Sequence, residues 1–354
     1  MDTPAQTKTY QATVKKLSGS RVEITGVVPA EEFDAGRAKA VARIGKDIEM
    51  PGFRKGHVPE KMIVARFGDA VLLEEMAQIA LEKAYPTIVT EEGLDPLGRP
   101  EIKITKVAAG NPLEFVAETD VYPVVTLPDF KKIAAKLNTK KVTVTVGDEE
   151  VTKTIEEIKK MRARADAERE GAPYDEKAPL PELTDEYVKS LGGDFASIGD
   201  FKAKLTENIR IEKTRSEKEK HRMAVLDAIV AETKLELPKT IVAGELERIE
   251  HEFARDISRM GMSFDDYLER IKKTKEEMRS TWTPDAEKRA KSQIVVAEIA
   301  KADTIAPTEE EMMAEIAKLQ AAYPDADPSR LAGYVDMVLT NEKVLEMLET
   351  CANA

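Results

Sequence analysis

Residues 49–62, EMPGFRKGHVPEKM, set one aromatic side chain, Phe53, beside two cations, Arg54 and Lys55. Gly52 and Gly56 flank these three, with Pro51 and Pro59 just outside. Such residues hold partners and do not make or break bonds. An exposed phenyl ring fills an apolar pocket, and a guanidinium meets a carboxylate or phosphate with two parallel hydrogen bonds. The glycines permit a tight turn, so a loop carried on stiff flanks loses little freedom on contact. His57 follows the second glycine. From Pro51 to Gly68 four cations, Arg54, Lys55, Lys61 and Arg66, face Glu60 alone, a local +3 on a chain of net charge -12. An acidic protein repels nucleic acid over most of its surface, so any contact with RNA has to be local.

Other chemistries find little support. No nucleophile and base stand at a telling spacing, and the Gly-x-x-x-Gly of the loop is not closed by Gly-Lys-Ser or Gly-Lys-Thr, so no phosphate loop is read and no ATP is expected. His57, His221 and His251 lie far apart without acidic or sulfur companions, and Cys351 is the one cysteine. No metal, disulfide framework, catalytic residue or cofactor is expected. The start, MDTPAQTKTYQATV, lacks a basic segment followed by an apolar one. No run approaches about 18 apolar residues, so a cytoplasmic location without membrane contact is the expectation.

Elements must position the loop. TYQATVKK and SRVEITGVV alternate with period two around LSGS, which predicts a hairpin. AEEFDAGRAKAVARIGKDIE reads as one helix carrying Phe33, Ala40, Ile44 and Ile48 on a face and stopping at Pro51. EKMIVARFG and AVLLEEMAQIALEKAYPTIVTEEG read as two more helices, and PEIKITKVA and PLEFVAETDVYP as strands. The result is an α+β unit of antiparallel strands with inserted helices over 1–125. Residues 126–182 form a connector: KKVTVTV as a strand, a charged helix from Asp148, and a stretch with Pro173, Pro179 and Pro181. Residues 183–354 are helical. The segment from Ile198 to Glu232 is apolar at both ends and polar from Glu212 to Arg222, which predicts one helix of roughly 50 Å solvated in its middle, in an elongated domain with arms. Ser263 and Thr283-Pro284 mark helix starts, and Thr308 with Glu311 fits a capping box.

With GFRKGHVP between helices of an α+β unit, the sequence resembles the bacterial trigger factor family, whose tip reads Gly-Phe-Arg-x-Gly-Lys-x-Pro. The match is at Gly52, Phe53, Arg54, Gly56 and Pro59, with Lys55 in the variable place and His57 where the family usually has lysine. VYPVVTLPDF and LPELTDEYVKSLG resemble the family's domain junctions. The resemblance implies a ribosome-associated chaperone whose tip, Gly52 to His57 with Pro59, docks on the large subunit at the tunnel exit, against a ribosomal protein and nearby rRNA. It also implies that 183–354 binds nascent and unfolded polypeptides and aids folding and export. Homodimerisation off the ribosome stays open. The family's FK506-binding-type prolyl isomerase domain, a module of roughly 100 residues, has no counterpart, so isomerase activity is not expected.

Client binding calls for adaptable apolar surface, which methionine supplies. Met260 and Met262 with Phe264 and Tyr267, then Ile294, Val295 and Ile299, are the named candidates, and Met312, Met313, Met337 and Met347 enlarge the supply. Two competing readings are a holdase or assembly scaffold that never meets ribosomes and a prolyl isomerase. The latter is disfavoured by 5% aromatic residues and one tryptophan, Trp282.

Overall fold

The computed structural model describes residues 9–48, 53, 57–139, 144–171, 173–175 and 178–352. Contacts divide the chain into two compact units, Met1–Leu127 with Thr233–Glu298, and Pro128–Glu232 with Ile299–Ala354.

In the first unit, strands β1 (Gln11–Leu17) and β2 (Arg21–Val28) form the predicted hairpin, turned by Gly19 and Ser20 at φ 73° and 52°. Helices α1 (Ala30–Ala35), α2 (Arg37–Asp47), α3 (Glu60–Phe67) and α4 (Asp69–Glu91) follow, then strands β3 (Pro96–Lys106) and β4 (Leu113–Val121). The sheet is antiparallel in the order β1-β2-β4-β3. Alternation buries Val22, Ile24 and Val28 of β2 with Leu113, Phe115 and Ala117 of β4. Onto this face α4 lays Leu72, Met76, Ala80, Ala84 and Ile88, an unbroken i, i+4 stripe in the same core. The alanines in the stripe carry little bulk, which favours close packing of helix on sheet. Gly26 is needed where it stands, because a Cβ there would lie 2.5 Å from Cζ of Phe115 on the paired strand.

The single helix expected after the hairpin is two. Gly36 turns the chain with a tightened bond from its N–H to the Phe33 carbonyl (3.1 Å), and a Cβ would come within 3.2 Å of that oxygen.

Helices α5 (Phe130–Asn138), α6 (Asp148–Glu170), α7 (Asp185–Ser190) and α8 (Ile198–Glu232) lie in the second unit. The strand expected in KKVTVTV is not formed by its described part, and 140–143 lie outside the described residues. The 35-residue α8 is continuous, as predicted. Its first turns share a core with Val151 and Ile155 of α6 and Val188 of α7. Its last turns bury Val225, Leu226, Ile229 and Val230, and this stretch of the unit packs α8 with α5 and α13 (Pro328–Thr350).

The first unit also holds α9 (Lys239–Arg259), α10 (Phe264–Ile271) and most of α11 (Lys275–Ala302). Carboxylates fasten α9 and its lead-in to the sheet. Asp120 accepts from the N–H and hydroxyl of Thr240 (2.8 and 2.7 Å), and Glu236 accepts from the Gly19 N–H (2.6 Å). Ser263 caps α10 as expected, but α11 does not start at Thr283-Pro284. It starts after Thr274, whose hydroxyl accepts from the Glu277 N–H while the Glu277 carboxylate accepts from the Thr274 N–H. The helix runs on through Pro284, with Thr283 Oγ1 donating to the Arg279 carbonyl in that turn. The capping box of α12 (Glu309–Ala322) forms at Thr308 and Glu311 as predicted.

Candidate functional site

Two ends of the sequence-predicted loop are pinned to a core. Ile44 on α2, then Val58 and Ile63 on the return, are buried in the sheet's core, with Ile48 packed against it. Arg37 at the start of α2 donates twice to Oε1 of Glu60 at the start of α3 (2.9 and 2.7 Å) and lies 3.6 Å from Asp69. The Glu60 hydrogen bond raises the Arg37 pKa. Between these anchors Phe53 is 39% exposed and stands outside the buried core. His57 and Pro59 are exposed. Gly52, Arg54, Lys55 and Gly56 lie outside the described residues.

The named client residues divide into three groups. Met260 is 79% exposed beyond the end of α9. Met262, Phe264 and Tyr267 are half-buried. Phe264, Tyr267 and Trp282 surround Phe253, with ring centroids 5.2 to 6.0 Å from it in edge-on and tilted contacts. Such a set leaves part of each ring in contact with water while its geometry is held. Ile294, Val295 and Ile299 of α11 are buried, and in this packing they offer no surface to a client.

Sequence reasoning named part of a second apolar surface on α12 and α13. Met313 and Met337 are 72% and 51% exposed, and with them stand Tyr323, Tyr334 and Val338, which the periodicity argument passed over. Tyr334, Met337 and Val338 follow i, i+3, i+4 and so share one face of α13. The signal was present: from Leu331 to Leu339 that helix is apolar nearly all round, more than one packing face requires.

An ion pair links this pair of helices. Lys343 of α13 bonds the Glu311 carboxylate, and the Thr308 N–H and hydroxyl bond it too, which pulls its pKa from 4.5 to about 2. Where α13 meets α8, the buried Arg222 donates to both oxygens of Glu349 (2.7 and 3.2 Å) and pairs with Glu342 (2.8 Å). Burial opposes the charge on Glu349, yet bonds from Arg222 and Lys218 outweigh it and hold the carboxyl below its usual range. Asn138 of α5 donates to the carbonyls of Leu348, Glu349 and Cys351, closing the end of α13, and its Oδ1 lies 2.8 Å from His221 Nε2. Burial pushes the Cys351 thiol pKa up, away from reactivity. Among the described residues no His, Cys, Asp and Glu group is arranged to hold a metal.

Sequence models described as bacterial trigger factor protein and bacterial trigger factor protein C-terminus match residues 10–158 and 197–349. Curated relatives include the trigger factor of Macrococcus caseolyticus, 25% identical and aligned over 87% of this chain and 90% of its own. The trigger factor of Bacillus mycoides is 25% identical over 95% of this chain and 97% of its own. A solved structure from work on promiscuous substrate recognition in the folding and assembly activities of the trigger factor chaperone superposes with a TM-score of 0.53, at 18% identity, covering 96% of this chain and 99% of that one.

Proposed function

The chain belongs to the bacterial trigger factor family, and we propose that it is an ATP-independent chaperone that docks at the ribosomal tunnel exit and shields nascent and unfolded polypeptides in the cytoplasm. The observation that carries docking is the loop between α2 and α3. Its flanks are locked by Arg37 and Glu60 and by buried Ile44, Val58 and Ile63, while Phe53 keeps 39% of its surface in water. A rigid mount with an exposed phenyl group suits insertion into an apolar pocket, and Arg54 and Lys55 add charge pairing that weakens with salt. In this reading residues 1–125 dock, 126–182 connect and 183–354 bind clients. No helix among the described residues is long and apolar enough to cross a membrane.

Client binding rests on the α12 and α13 face, where Met313, Tyr323, Tyr334 and Met337 combine flexible and aromatic apolar groups amid polar ones. Release follows when a client buries its own apolar groups. The residues between the two matched segments are the second half of α6, the connection and α7. That supports a trigger factor without its isomerase domain, and no isomerase activity is proposed. Dilution of a chemically unfolded protein into buffer without nucleotide tests the chaperone reading. The expected result is less light scattering at equimolar chain. Undiminished aggregation, or suppression only with ATP, contradicts it.

A further inference from the structure

We propose that the cleft where β4 ends receives a short extended segment of client polypeptide, which pairs antiparallel with the main chain at Val124. The proposal rests on the client-binding reading and adds to it a contact within the first unit, made by backbone groups and an apolar hollow beside them.

The cleft is formed entirely by residues of that unit and holds about 1150 Å³. This exceeds the roughly 300 to 1,000 Å³ of a small-molecule pocket and suits several residues of chain. Leu17, Leu94, Val121 and Leu235 line it, and Val124 stands in its wall 80% exposed. The main chain explains why the place is open. Val121 donates its N–H to the Ser20 carbonyl (2.8 Å), and the next N–H, that of Tyr122, goes to Asp95 (2.8 Å). Such alternation is that of extended chain, and Pro123 keeps the residue before it extended. Four positions beyond Tyr122, Thr126 exchanges two backbone bonds with Lys234 (3.0 and 3.2 Å), an isolated antiparallel bridge. Val124 falls midway, and its N–H and C=O make no hydrogen bond among the described residues.

A ladder with partners at both ends therefore lacks its middle rung. One residue of an incoming strand supplies it with two hydrogen bonds, while apolar side chains of that strand cover Val124 and the lining. From Tyr122 to Thr126 extended chain spans about 13 Å, so three residues fill the gap and those flanking them lift out past Asp95 and Lys234. Charge sets the direction. Asp95 and Lys234 line the cleft, and neither side chain has an ionic partner among the described residues. An antiparallel segment passes Lys234 first and Asp95 last, so the complementary sequence carries an acid before its apolar residues and a base after them.

The test is fluorescence anisotropy of a labelled peptide, Glu-Val-Phe-Val-Lys blocked at both ends, with the full chain. Binding is expected. Methylating the phenylalanine amide nitrogen, which deletes the donor of the rung, should weaken it about fivefold or more, while methylating either valine nitrogen should leave it within about twofold. Exchanging the charged ends, as Lys-Val-Phe-Val-Glu, should weaken it about threefold. Val124→Ser should weaken it about tenfold, with the wild-type circular dichroism melt kept. No binding, equal binding of the phenylalanine-methylated peptide, or equal binding by Val124→Ser overturns the proposal. The methylated peptides need only the wild-type chain, so a variant that fails to fold does not spare it. Tighter binding of the exchanged peptide overturns the antiparallel direction. Self-association of the full chain that Val124→Ser abolishes also overturns the proposal, by assigning the cleft to a second copy. Failure of the peptide with aggregation suppression intact removes the cleft alone, whereas absence of suppression overturns the client reading itself.

Discussion

Helix α4 and helix α12 carry similar shares of apolar residues and end up packed at opposite extremes. On α4, eight side chains are buried, Leu72 through Val89, because the helix is packed against α1, α2 and α3 and shares one core with the sheet. On α12 none is fully buried, since it packs on α13 and little else. Apolar content therefore does not decide a helix's task. The number of neighbours does. The α4 region buries its apolar groups in a core shared with the sheet, and the α12 and α13 pair keeps several at the surface, as the proposed docking and client-binding roles require.

The contrast can be broken most forcefully in the sheet. Phe115→Ala removes a ring that fills the space over Gly26 and should cost about 3 to 5 kcal/mol in urea unfolding. A loss below about 1 kcal/mol would mean that the core is looser than its burial says. In the helical unit the comparable blow is electrostatic. Arg222→Ala takes from Glu349 and Glu342 their shared guanidinium, leaving Glu349 only Lys218, and should cost about 3 kcal/mol, whereas Arg222→Met combined with Glu349→Leu, which replaces the pair by apolar packing, should recover much of it. Equal loss in both variants would show that the ion network is more than a replacement for apolar packing.

Smaller changes sharpen the comparison. Thr308→Ala removes the cap of α12 and should cost about 1 kcal/mol, seen as faster amide exchange in α12 with α4 unchanged. The carboxyl of Glu311 has its folded pKa depressed from 4.5 to about 2. Its stabilising contribution is therefore complete above pH 4.5 and is lost as pH falls from 4.5 towards 2, with no change between pH 6 and 8. Titration of the Glu311 side-chain carbon shift by NMR checks this, and a midpoint near 4.5 would dissolve the proposed clip to Lys343. Least disruptive to stability is the pair Tyr334→Ser and Met337→Ser, expected within about 0.5 kcal/mol for each exposed site. Binding of a fluorescent unfolded client should nevertheless weaken several-fold, and unchanged affinity would remove α13 from the client surface.

Much of this was legible because local rules and tertiary packing agree. The alternation around LSGS, the i, i+4 stripe of α4 and the Thr308 box each encode an element in adjacent residues, and the polar middle of α8 marks where its two cores end. The break at Gly36 depends on how closely that backbone approaches the Phe33 carbonyl, which no periodicity records. Thr283-Pro284 was read as a start signal, but Pro284 is the tenth residue of α11, which continues through it despite the missing N–H, and the Thr274 and Glu277 pair that starts the helix was passed over. Apolar spacing identified Ile294, Val295 and Ile299 but could not tell a packing face from an open one. Tyr334 escaped for the same reason in reverse, lying on an apolar face that its neighbours leave uncovered. The GFRKGHVP motif located the loop from residue types alone, while the clamp between its flanks is made by Arg37 and Glu60, 23 positions apart.

The central claim is that a stiffly mounted loop docks the chaperone while a separate face holds clients. Sedimentation with vacant ribosomes, comparing the full chain with one in which Phe53, Arg54 and Lys55 are all alanine, tests it most directly. The account predicts that the full chain pellets and that the variant stays in the supernatant while still suppressing aggregation of an unfolded protein. Pelleting of the variant to the same extent as the full chain would contradict it.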